Sequence, residues 1–266
     1  MTIQDIGCGK GESVIKEHAG AIFSIAQTDQ PIPGCTVSRL IYQSPEYNIS
    51  HFSLAERTSI SPESYRYPIL WICLDGDLEP ITPGGETACT AKGVRAADNG
   101  TGSKEAAAGA PAGEDSRPLR PVLHPGDAFL TPVNRPVGSA TKKGCVYTAI
   151  HLIKEDTNMN NTIHAGEIFA LKDLLPYQDG KIINMDLIDD PKLKLVVMSF
   201  DAGTGLPEHA APGEALIFAL DGEAVIGYEG KQYSIHAGEN FKFDKGGAHS
   251  VTAEKRFKMA LLLTLE

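Results

Sequence analysis

Gly203 to Gly222 reads G-T-G-L-P-E-H-A-A-P-G-E-A-L-I-F-A-L-D-G, and Gly238 to His249 reads G-E-N-F-K-F-D-K-G-G-A-H. Each stretch is a turn feeding an apolar β run, and each carries one histidine, His209 and His249. Between them, two short strand-like runs flank Glu229-Gly230, which reads as a β-hairpin.

The spacing of these residues resembles the two signature motifs of the cupin superfamily. The first motif is Gly, five residues, His-x-His, three or four residues, Glu, six residues, Gly. The second is Gly, five residues, Pro-x-Gly, two residues, His, three residues, Asn. Gly203, Gly222, Gly238, Gly246, His209 and His249 fit. The second His of the first motif is Ala211 and its Glu is Ala215; the Pro of the second is Asp244 and its Asn is Ala253. The wording H-A-A-P-G-E-A is also similar to small single-domain cupins with an H-x-A-P-G-[D/E]-A pattern. The resemblance implies an all-β, jelly-roll barrel. It carries over the fold better than the metal chemistry.

Working outward, the chain repeats itself. A slide of 146 residues lays His18-Ala-Gly-Ala-Ile-Phe on His164-Ala-Gly-Glu-Ile-Phe and stays in register to Gly76 on Gly222. It pairs Gly34 with Gly180, Pro45 with Pro191 and Ser53 with Ser199. A slide of 112 lays Leu123-His-Pro-Gly-Asp-Ala-Phe on Ile235-His-Ala-Gly-Glu-Asn-Phe. The difference implies an insertion of 34 residues in the first copy, where the second has its hairpin.

The expected organisation is therefore an N-terminal extension at 1–17, one barrel at 18–152, a linker at 153–163, and a second barrel at 164–266 carrying the site. The insertion near 83–120 is rich in Ala, Gly and small polar residues. Such a segment buries too little surface to offset its ordering entropy, which predicts a flexible surface loop. Short apolar runs broken by Gly, Pro, Asn and Asp predict strands throughout. Helical turns are expected only at Asp173–Tyr177 and in the first dozen residues.

Ala215–Leu220 and Ile69–Leu74 are apolar at every position, whereas a half-exposed strand alternates. One face must line a barrel and the other must be covered, by the second copy, by another chain as in a homodimer, or by both.

The resemblance implies a metal held by inward-pointing side chains, three His and one Glu, with His-x-His placing two on one strand face. A divalent transition metal (Zn, Fe, Mn or Ni) wants at least three protein ligands. The matching positions here are His209, Ala211, Ala215 and His249. Glu214 is one residue from the Glu position and alternation turns it away unless a bulge intervenes; Glu208 stands likewise beside His209. Three readings stay open: the two histidines hold a metal with a third ligand; they and Glu214 line a metal-free pocket for a small polar molecule; or they are satisfied residues with no task. The first copy offers Glu63, Tyr65, Ile69 and Val137 at the same positions, which reads as a barrel that is structural or binds an apolar ligand at most.

Composition narrows the partners. The formal net charge is −10, and Lys and Arg are scattered, which argues against nucleic acid or an anionic membrane surface. Five cysteines with no C-x-x-C pair suit reduced thiols, and the N-terminus has no apolar signal core; both point to the cytoplasm. The fold hosts many chemistries. The leading expectation is a small-molecule binding or sensing protein. Its rival is a metal-dependent cupin enzyme of dioxygenase, isomerase or decarboxylase type, acting on a small oxygenated metabolite or sugar.

Overall fold

The computed structural model describes residues 15–83, 121–154 and 157–265. The insertion at 84–120, most of the N-terminal extension and two linker residues lie outside the described residues. Eighteen strands dominate the rest: β1 (Ile22–Phe23), β2 (Thr36–Gln43), β3 (Tyr47–Leu54), β4 (Ser59–Ser64), β5 (Ile69–Gly76), β6 (Glu79–Ile81), β7 (Asp127–Leu130), β8 (Pro136–Ala140), β9 (Cys145–Leu152), β10 (Ile168–Ala170), β11 (Ile182–Asp189), β12 (Leu193–Phe200), β13 (Thr204–Ala210), β14 (Glu214–Tyr228), β15 (Lys231–His236), β16 (Asn240–Phe243), β17 (Ala248–Ala253) and β18 (Phe257–Thr264). A four-residue helix (Ile25–Thr28) and a 3-10 turn (Leu171–Asp173) are the described helical pieces. The turn expected at Asp173–Tyr177 thus ends where it was to begin, because Pro176 biases Leu175 away from helical backbone.

The repeat survives as geometry. β2, β3 and β9 begin and end at the same places as β11, β12 and β18 once the offsets of 146 and 112 are applied. Even the irregularities recur: the ladder slips at Ile41 and at Leu187, and at Leu74 and at Leu220. Gly76 and Gly222 share φ +73, and a Cβ on either would meet a carbonyl oxygen, Gly144 O at 2.0 Å or Arg256 O at 1.9 Å. Only glycine supplies both the left-handed backbone and that close approach.

The first barrel is built from the sheet β10-β7-β5-β9-β3-β2 and the sheet β4-β8-β6. In the second barrel, β14 is long enough to serve both sheets, pairing β16 and β18 at its start, β15 and β17 at its end. Each large sheet borrows an edge strand from the other half of the chain. β1 pairs with β16 of the second barrel, and β10 pairs with β7 of the first. These borrowed strands are the His18 and His164 hexapeptides that matched in sequence.

Three apolar clusters follow from strand alternation. Ile69, Trp71 and Cys73 point into the first barrel with Phe129 and Tyr147. Ala215, Ile217 and Ala219 point into the second with Phe241, Phe243 and Met259. The alternate residues, Leu70 and Ile72 of β5 and Leu216 and Phe218 of β14, share one buried cluster that spans both halves. That shared core explains why these strands carry no polar face. No described helix is long and apolar enough to cross a membrane.

Candidate functional site

β13 and β17 run antiparallel, and His209 stands directly opposite His249. Directly opposed residues on neighbouring strands project from the same face, so the rings meet. Their centroids are 4.1 Å apart with planes tilted by 51°. His249 is 6% exposed, whereas His209 is exposed on the lip. The other side of His249 stacks on Phe243, centroids 4.0 Å apart and planes within 26°.

Both imidazoles are oriented in the same way. His209 Nδ1 lies 2.8 Å from the Pro207 carbonyl oxygen, and His249 Nδ1 lies 3.1 Å from that of Gly247. A carbonyl oxygen only accepts, so each Nδ1 carries the proton and donates it. In the neutral rings, Nε2 is then left with its lone pair, ready to accept a hydrogen bond or bind a cation. Burial holds the His249 pKa below its ordinary value, opposed by the Gly247 carbonyl and reinforced by His209. His249 is therefore neutral near pH 7.

Phe243 is the residue that sequence reasoning missed. It is the register partner of Ala215, the alanine at the motif's glutamate position. Ala211 and Ala215 are both buried, 3% and 2% exposed, and the small side chains leave room for the phenyl ring. The signal was present in the alternation of N-F-K-F, which turns Phe241 and Phe243 inward together.

Glu214 is not brought to this pair. It shares its strand face with Leu216 and Phe218, away from the barrel interior. One carboxylate oxygen accepts from Lys242 Nζ at 3.0 Å, and the other accepts from the Ile15 backbone N–H. Lys242 also bonds Asp244 at 2.9 Å. The expectation that Glu214 lines the ligand site is corrected on this geometry: strand alternation prevails because no bulge falls between Glu214 and Ala219.

A transition metal wants three or more protein ligands. Among the described residues no cluster of three His, Cys, Asp or Glu is arranged to hold one. The two imidazoles alone do not fit a resident metal of the three-histidine, one-glutamate kind, since alanines stand where the other ligands would be.

Comparison with known proteins agrees with this architecture. Residues 196–265 match the family model for the cupin domain, Cupin_2. The fold is similar to that of a cupin 2 conserved barrel domain protein from Leptotrichia buccalis, with TM-score 0.70 and 23% identity over 95% of this chain and 100% of that one. It is also similar to salicylate 1,2-dioxygenase from Pseudoaminobacter salicylatoxidans, solved with gentisate adducts, with TM-score 0.52 and 11% identity over 85% of this chain and 73% of that one. Identities this low carry the fold alone. No curated protein matches the chain in sequence.

Proposed function

We propose that this member of the cupin superfamily is a binding or sensing protein that takes a small polar metabolite on the His209–His249 pair of its second barrel. The observation that carries the reading is the matched tautomer of the two rings, with both Nδ1 protons committed to backbone carbonyls. Two adjacent Nε2 lone pairs call for a ligand that supplies hydrogens, a hydroxyl or an N–H group. Phe243 gives such a ligand an apolar backstop behind His249.

The second reading is a metal-dependent cupin enzyme acting on a small oxygenated metabolite. The same free Nε2 atoms favour it, since imidazole binds first-row metals through a ring nitrogen whose partner nitrogen is tied to a carbonyl. The shortage of a third ligand weighs against it. Elemental analysis of protein purified without a metal-affinity tag separates the two. Well under one equivalent of transition metal is expected. A stoichiometric metal that is lost in His249→Ala would overturn the binding reading in favour of the enzyme.

A further inference from the structure

A cleft of about 260 Å³ lies between the two barrels, where β5 and β14 meet across the shared core. Ile72 and Leu74 of β5 wall it together with Phe218 and Leu220 of β14. These are the same two positions of the repeat, 146 residues apart, so each half supplies an equivalent wall. The ladder slips at Leu74 and again at Leu220. A bulge bends its strand and re-aims the side chain there. Both leucines line the cleft half-buried, which leaves apolar surface open to solvent between the halves.

The polar groups of the lining are few, and most are committed. Asn240 Oδ1 accepts from the Ile25 N–H at 3.1 Å, and its amide donates to the Ile217 carbonyl oxygen at 3.1 Å. These bonds fix the start of the helix Ile25–Thr28, whose Ala26 closes one side of the cleft. The Cys73 side chain packs away from it, in the first barrel. Gly126 and Gly238 donate their N–H groups to the Cys73 and Ala219 carbonyl oxygens.

Among the described residues Glu239 is the one charged member of the lining. Its Oε2 accepts from the His236 backbone N–H at 2.7 Å and from His236 Nδ1 at 3.1 Å. Both described bonds fall on that oxygen, which leaves Oε1 for a ligand. Behind it, His236 Nε2 lies 3.7 Å from Glu223, and Lys255 pairs with Glu223 at 2.7 Å. Two carboxylates against one ammonium make this rim negative with the imidazole uncharged, and no more than neutral with it charged.

We infer that the cleft between the barrels binds a small apolar cation, an arylalkylamine, with its ring against Leu74 and Leu220 and its ammonium on Glu239. A dry apolar cavity of roughly 150 Å³ holds benzene, so this larger one takes a ring and a short carbon chain. Ile72, Leu74, Phe218 and Leu220 offer the ring apolar contact. The carboxylate selects the ammonium and disfavours an acid. A sugar would bury hydroxyls with almost no partners. The site shares no residue with the His209–His249 pair and stands or falls independently of it.

The test is a titration of the full chain with its Ile and Leu methyl groups isotopically labelled. The probe is phenethylamine, and hydrocinnamate, which puts a carboxylate in place of the ammonium, is the control. A saturable shift of the Ile72, Leu74 and Leu220 methyl resonances is expected with the amine and none with the acid. Ala26→Phe, which fills the cleft from the helix, should abolish the shift. Glu239→Gln should weaken binding of the amine about tenfold, and it covers the case in which Ala26→Phe misfolds. No saturable shift with the amine, equal binding of the acid, or unchanged affinity in either variant would overturn the proposal.

Discussion

Ile22 lies opposite Phe241, and Ile168 lies opposite Phe129, so each half of the chain completes the sheet of the other. The exchange adds backbone ladders to the apolar core that Leu70, Ile72, Leu216 and Phe218 already share. An edge strand missing from either barrel would leave unpaired backbone groups and exposed apolar surface.

The two halves should therefore not behave as independent domains. Expressed separately as residues 1–152 and 153–266, neither fragment should give the sharp thermal transition of the full chain. Mixing them should restore one, together with a one-to-one complex by size-exclusion chromatography. A monomeric, cooperatively melting C-terminal fragment would contradict this.

His249 makes stability depend on pH in a direction that can be worked out. Its folded pKa is depressed by burial, so between that value and the unfolded value of about 6.5 the unfolded chain binds more protons. Stability contributed by the neutral ring is therefore full above about pH 6.5 and is lost as pH falls through that window. His249→Phe, which keeps the stack on Phe243, should flatten the fall in Tm between neutral and mildly acid pH relative to the unaltered chain. Parallel Tm profiles for the two proteins would show that His249 is not the group responsible.

Glycines that look alike in the sequence should differ in consequence. Gly230 has φ +75 and open space around its Cβ position, so Gly230→Ala should cost about 1–2 kcal/mol of left-handed strain. Gly222→Ala adds a collision with Arg256 O at 1.9 Å and should destabilise well beyond that figure. Chemical denaturation of both variants checks the order; equal losses would mean that the strand ends spread without penalty.

Glu214 and Lys242 form a nearly buried pair, with side chains 13% and 4% exposed. Lys242→Met leaves the carboxylate with only the Ile15 N–H and should cost about 2–3 kcal/mol, less than a fully buried broken pair. The Lys242→Met, Glu214→Gln double variant should recover part of that loss. Glu214→Gln alone should leave ligand or metal uptake at His209 and His249 unchanged; a change there would return Glu214 to the site.

Much of this was legible in one dimension. The repeat set the strands of both barrels, because matched glycines and apolar spacing encode the same turns and faces twice. The hairpin at Glu229-Gly230 followed from the strand-like runs on either side of a glycine; the turn holds Glu229 as well as Gly230 at positive φ, 48° and 75°. The two histidines followed from motif spacing. Less legible was Phe243, since its place against His249 is set by the pairing of β16 with β14 rather than by any motif position.

Local preference and periodicity alone determined that the chain is all-β and duplicated, and the resemblance to the cupin motifs singled out His209 and His249. Folding in three dimensions decided which half each edge strand joins, that Phe243 packs where a ligand-bearing side chain would stand, and that Glu214 is held by Lys242. Those outcomes depend on contacts between residues far apart in the chain, where burial and hydrogen-bond satisfaction select among arrangements that the local sequence permits equally.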